Sequence, residues 1–188
     1  MDRSRPRSPL FDRCKYTLPI CTVFVRTSLP NRHVITPHAH KIVPPVASCL
    51  LKHFSTWHHI RDITVTNVSF ATGTDSACCA PLMGNVPSLR TLYIGQATCL
   101  HPQAVAGMLC QGRMARLDRV RLVDAYSESI WGPRLRRSDI EKAVIVLVGG
   151  DLEAQMAAME RVKKVVTCEK KTERIMGGDR VDGTHILN

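Results

Sequence analysis

The stretch AYSESIWGPRLRRSDIEKA, residues 125–143, sets Arg134, Arg136 and Arg137 beside Trp131. Guanidinium groups at this density clamp a phosphate or a carboxylate through paired N–H donors, or stack on a base. Arginine and tryptophan are also enriched at the energetic centres of protein interfaces. The same residues suit a purely structural joint. Trp131 would then cap the last structural unit, Gly132 and Pro133 would turn the chain, and the arginines would pair with Asp124, Glu128 and Asp139.

Other candidates for chemistry are weaker. HVITPHAH carries His33, His38 and His40, with His58 and His59 further on. Zinc takes such ligands, but no cysteine or carboxylate accompanies them at ligand spacing, so a surface loop is expected. Cys78 and Cys79 are adjacent in a small apolar context, and a structural role is expected there too. MGGDRVDG is glycine-rich but lacks the G-x-x-x-x-G-K-[ST] pattern of a phosphate-binding loop. There is no G-x-S-x-G, H-E-x-x-H or strand-linked G-x-G-x-x-G. The expectation is a chain that is not an enzyme, with no cofactor and no metal ligand set.

Bulk properties narrow the class. The chain has 188 residues, 44% hydrophobic, 22% charged and 5% aromatic. That is enough for one core, built mainly from aliphatic side chains, Met and Cys. No apolar run approaches the roughly 18 residues of a membrane span. The eight cysteines form no C-x-x-C pair and mostly sit in apolar patterns, as in VASCLL and GMLC. They read as buried reduced thiols of an intracellular protein, cytoplasmic or nuclear. Net charge is +10. Residues 1–60 hold nine Lys/Arg against two Asp/Glu, so the excess is concentrated towards the amino terminus. Residues 1–16 are expected as a disordered basic arm.

The elements that would position these groups come from apolar spacing. IRDITVTNVSF, LRTLYIGQATCL and LDRVRLVDAY share one pattern, starting at Ile60, Leu89 and Leu117. Each follows apolar-x-x-apolar-x-apolar-x-x-apolar, at a spacing that suits a strand-plus-helix repeat. Ile20, Val23 and Val25 are read as an earlier copy, before a proline-rich insertion. A helix begins at Pro44, with Val46, Cys49, Leu50 and Phe54 on one face. Another follows His101 and Pro102, with Val105, Met108 and Leu109 inward. Ser138 and Glu141 read as a capping box for a third helix, ended by Gly149 and Gly150. Asp151 caps a fourth, with Leu152, Met156 and Met159 inward. VKKVVTC is expected as the last strand, and residues 169–188 as a loosely ordered tail.

LLKHFSTWHHIRDITVTNVSF, PSLRTLYIGQA and RLVDAYSESIWGPRLRRSDIE resemble the repeat region of fungal F-box/leucine-rich-repeat proteins. The likeness is fair over residues 17–126 and poor over 127–168. The usual Asn/Cys position of the repeat is filled by Val68, Ala97 and Ala125. The resemblance implies a short α/β solenoid over residues 17–168, with a parallel sheet on its concave side and helices on the convex side. In such families the repeats bind a target and an amino-terminal F-box docks a ubiquitin-ligase scaffold. Residues 1–17 are too few for an F-box, so ligase recruitment is expected only if one lies outside this chain.

A protein-interaction module is therefore the leading expectation, with a partner of acidic character. Its candidate binding residues are Arg90, Tyr93, Arg119 and Arg121 on the sheet, and Trp131, Arg134, Arg136 and Arg137 beyond it. Nucleic-acid binding through the basic arm and Arg116, Arg119, Arg121, Arg134, Arg136 and Arg137 is the alternative. An enzyme of unrecognised type is third.

Overall fold

The computed structural model describes residues 23–27, 33–35, 42–54, 59–71, 82–110, 114–175 and 178–188. The basic arm, His38, His40, His58 and the Cys78-Cys79 pair lie outside them. Along the chain come β1 (Val23–Thr27), β2 (His33–Ile35), α1 (Pro44–Phe54), β3 (Ile60–Thr66) and β4 (Thr91–Gly95). There follow α2 (Pro102–Cys110), β5 (Arg119–Val123), α3 (Arg137–Val148), α4 (Leu152–Val165), β6 (Val166–Ile175) and β7 (Gly178–Ile186). The fold is α/β, with one seven-stranded sheet ordered β2-β1-β3-β4-β5-β6-β7.

Strands β3, β4, β5 and β6 are parallel neighbours in sequence order. A crossover between parallel strands of one sheet is right-handed almost without exception. A strand order that always advances in the same direction therefore puts every connection on one face. The burial agrees. Ile63, Leu92, Val120 and Val166 stand in register across the four strands, as do Val65, Ile94, Leu122 and Cys168. All eight are buried in one cluster with residues of all four helices. The intervening positions face the other way, and no helix covers them among the described residues.

The backbone turns alike after three of these strands. Asn67, Gln96 and Asp124 follow the last residues of β3, β4 and β5, at φ of 59°, 51° and 50°. Each left-handed residue donates its N–H to the next strand, to Gly95 O, Val123 O and Glu169 O, at 2.8–2.9 Å. Val68, Ala97 and Ala125 then point into the core, no more than 3% exposed.

Several expectations are corrected. β1 runs antiparallel to β3, pairing Val23 with Val65, and so is not an earlier copy of the parallel unit. Residues 169–188 are not a loose tail, because most of β6 and all of β7 lie there as an antiparallel pair. Within VKKVVTC the helix continues to Val165 and the strand starts at Val166. Helix α3 is capped by Asp139, whose carboxylate accepts the Arg136 N–H at 2.9 Å, and not by Ser138 with Glu141. Leu152 and Met156 point outward, at 69% and 61% exposure. Asp151 does cap α4, accepting from the N–H groups of Glu153 and Ala154. The break at Gly149, with φ of 77°, falls where expected.

The thiols divide by environment. Cys49 is exposed, against the reading that put it on the buried face of α1, and Cys99 and Cys110 are half-buried. Cys168 is buried, and desolvation foremost pushes its thiol up to about 12. Asp139 and Glu169 add to the rise, and Arg137 opposes it. Iodoacetamide at about pH 8 should therefore label Cys49 and leave Cys168 untouched until the protein unfolds, as read by peptide mass mapping. The raised folded value also fixes a sign. The contribution of Cys168 to stability is whole below its ordinary 9.0 and falls as pH climbs from there towards about 12.

Candidate functional site

The uncovered face of the parallel sheet is lined by rows of side chains that alternate with the core. One row is Thr64, Tyr93, Arg121 and Thr167, and another is Asp62, Thr91 and Arg119. All are half-buried except Arg119, which is exposed. Alternation along each strand follows from the two-residue period of β-structure once one face is committed to the core.

Local packing orders the middle of this face. Gly95 follows Tyr93 by two residues and shares its side of the sheet. A Cβ on Gly95 would meet the Tyr93 ring at 3.0 Å, so the bare glycine leaves room for the ring to lie across it. The Arg121 guanidinium sits 5.6 Å from the centre of that ring. It also donates to both Glu169 carboxylate oxygens, at 2.9 and 2.7 Å. That bond is the largest influence raising the Arg121 pKa, against the opposing cost of burial. Burial raises the Tyr93 phenol as well, while Arg121 pulls it down. The three residues form a continuous stack in which ring, cation and carboxylate hold one another in place.

Asp124 forms a second polar centre at the end of β5. It is 2% exposed and accepts the backbone N–H groups of Lys171 and Thr172 at 3.0–3.2 Å. The β6–β7 pairing shifts register between Lys170 and Thr172, and Asp124 satisfies donors at that irregularity. Arg134 lies 3.4 Å from Asp124, donates to Thr172 O and covers the Tyr126 ring at 5.3 Å. A carboxylate so occupied is a clip between β5, the following loop and β6.

The sequence candidates thus separate into two places. Tyr93, Arg119 and Arg121 share the open sheet face, and Arg90 sits exposed just before β4. Trp131, Arg134, Arg136 and Arg137 belong to the segment from β5 to α3. Trp131 is 76% exposed and is not a lid. Four of the six arginines are committed to carboxylates: Arg90 to Asp118, Arg121 to Glu169, Arg134 to Asp124 and Arg137 to Glu141. Arg119 and Arg136 have no side-chain carboxylate partner among the described residues. Asp124 pairs with Arg134 as one of the carboxylates expected to hold these arginines, whereas its hold on the β6 backbone, and Glu169 altogether, escaped the sequence reading. The left-handed turn after each strand is the one signal that points to Asp124, since Asp and Asn tolerate that conformation.

A further pair lies on α1, where the His53 ring is 3.6 Å from the Cys49 sulfur. The same ring nitrogen lies 2.7 Å from the Cys49 carbonyl oxygen, so it carries a proton there and is not a base for the thiol. Among the described residues, no group of three His, Cys, Asp or Glu could hold a metal ion. No helix of the described residues is long and apolar enough to cross a membrane. No family model, curated protein or solved structure matches the chain.

Proposed function

We propose that this chain is a non-enzymatic protein-binding module, built as a short leucine-rich-repeat-like solenoid whose open parallel sheet face meets a partner. One observation carries the reading. Four parallel strands advance in order with the core on one side, leaving a continuous polar face on the other. The similar left-handed turns after β3, β4 and β5, at a spacing of 29 and then 28 residues, support the repeat character of the unit.

Pairing of the arginines refines the partner. Arg121 is neutralised by Glu169, so the centre of the face offers a stacked tyrosine and hydroxyls in place of bare positive charge. Exposed Arg119 supplies the cationic contact, which suits a polar protein surface with a carboxylate opposite it. The nucleic-acid alternative loses part of its footprint, because three of the six arginines it relies on, Arg121, Arg134 and Arg137, are already paired. A link to a ubiquitin ligase belongs to this reading only if an F-box accompanies the repeats.

The test changes side chains that face out and hold nothing. Arg119→Glu combined with Thr64→Arg is expected to leave the melting temperature unchanged. Proteins retained from a lysate by the unaltered chain should be lost from the double variant. Retention of the same proteins by both would remove the sheet face from the assignment. Salt-sensitive binding of duplex or single-stranded nucleic acid in a filter assay would favour the alternative instead.

A further inference from the structure

The cations that the fold leaves unused gather at the amino-terminal ends of the parallel strands. Arg61 lies at the start of β3, Arg90 just before β4, and Arg119 at the start of β5. Arg116 precedes β5, and Lys163 and Lys164 close α4 ahead of β6. All six are exposed. The register pairs Asp62 with Thr91 and Thr91 with Arg119, which sets Arg61, Arg90 and Asp118 level with one another. Val120 pairs with Val166, which brings Lys164 level with Asp118 at the fourth strand.

The backbone under this row is cross-braced. The Arg90 N–H donates to Arg61 O at 2.7 Å, and those of Asp118 and Arg119 donate to Arg90 O at 2.9 and 3.0 Å. The Ser88 hydroxyl donates to Ile60 O, and the Arg161 guanidinium to Met114 O, both at 2.7 Å. The second of these fixes the end of α4 against the segment that carries Arg116.

Availability separates these cations from the other arginines. Arg121, Arg134 and Arg137 are engaged by carboxylates within the fold. Arg61, Arg116, Arg119 and Lys164 have no carboxylate partner among the described residues. Arg90 meets Asp118 at 3.8 Å and Lys163 meets Glu160 at 3.0 Å, and such exposed pairs exchange readily for a partner's charge. The acidic groups of this edge, among the described residues, are Asp62, Asp118 and Glu160, so the edge keeps a positive excess.

Sign and spacing select the occupant. A phosphodiester chain is anionic at every unit and would press phosphates on Asp118 and Asp62 as well as on the arginines. No aromatic side chain of the described residues stands in the row for bases to stack on, and the nearby Tyr93 ring is already covered by Arg121. A second copy joined symmetrically would set two basic rows together. A peptide orders its own side chains, with carboxylates against the arginines and a neutral residue against Asp118. Each guanidinium can then hold a carboxylate through two N–H donors. Three inter-strand steps of about 4.8 Å make the row roughly 14 Å long, a span that about five residues of extended chain cover.

We propose that the amino-terminal edge of β3 to β6 binds a short, extended acidic segment of the partner protein. The proposal rests on the protein-binding reading and extends it from the sheet face to this edge.

Fluorescence anisotropy at low salt tests it, using the full chain, a labelled glutamate–serine peptide and a labelled single-stranded oligonucleotide. Arg61→Glu with Arg116→Glu should weaken peptide binding at least about tenfold, because two attractive contacts become repulsive. Lys142→Glu with Lys171→Glu makes the same change in net charge at exposed positions off the row, and should leave peptide binding within about twofold. Oligonucleotide affinity, driven by net charge, should fall alike in both variants. Unchanged circular dichroism and melting will show that each variant folds, and Arg61→Gln with Arg116→Gln replaces the edge variant should it fail that check. Failure of the peptide to bind, or equal losses of peptide binding in both variants, would overturn the proposal. So would a loss in the edge variant confined to the oligonucleotide. If Arg119→Glu with Thr64→Arg abolishes capture of lysate proteins while the edge variant leaves peptide binding intact, this proposal falls and the sheet-face reading stands.

Discussion

Asp124→Ala is expected to lower the free energy of unfolding by about 3–5 kcal/mol, the usual cost of removing one partner from a buried charged pair. The carboxylate is 2% exposed and has three dependants, the N–H groups of Lys171 and Thr172 and the Arg134 guanidinium. Alanine leaves two backbone donors and a largely buried cation without their acceptor. It also adds strain, because alanine tolerates a φ of 50° less well than aspartate does. Urea denaturation followed by circular dichroism measures the loss. Hydrogen exchange should locate it, with faster exchange at Lys171 and Thr172 than in β4. Asp124→Asn retains an acceptor and the left-handed preference, so about 1–2 kcal/mol is expected for the lost charge alone. Equal losses for alanine and asparagine would show that the charge, and not the backbone contacts, does the holding.

Arg121→Ala is expected to cost about 2–3 kcal/mol. This is below the value for a wholly buried pair, because Arg121 is itself partly in solvent. The side-chain exposures are 38% for Arg121 and 8% for Glu169, so the penalty falls mainly on the stranded carboxylate. Replacing both partners by apolar residues, as Arg121→Met with Glu169→Leu, removes that stranded charge. The double variant should return to within about 1 kcal/mol of the parent chain. A double-mutant cycle on urea midpoints gives the coupling directly. A coupling near zero would mean that the contact is a surface pair of little worth. Charge reversal at Arg121 therefore disturbs the fold as well as any binding, and Arg119 and Thr64 are the better probes of the sheet face.

Much of the architecture was legible because it rests on short-range periodicity. Apolar spacing located β3, β4, β5 and α2, and it identified Leu92, Ile94, Val120 and Leu122 as core. Asp151 and Gly149 announced themselves because a helix cap is a contact over a few residues. The candidate site was partly legible for the same reason. Alternation put Tyr93, Arg119 and Arg121 on one side, but it carried no sign that Arg121 was already engaged.

The amino-acid sequence by itself determined where the strands between residues 60 and 123 run and which of their residues turn inward. Tertiary structure alone decided the rest. Beyond Glu169 the chain has no apolar alternation, yet β6 and β7 pair through backbone groups that any residue supplies. Strand β1 has a good strand composition, but only its neighbour settles that it runs antiparallel. Asp124 and Lys171 meet across 47 residues, and Arg121 and Glu169 across 48. Which charges are paired, and so which remain to meet a partner, depends on strand register. Register is set by how the buried faces pack, and that packing is a property of the whole sheet.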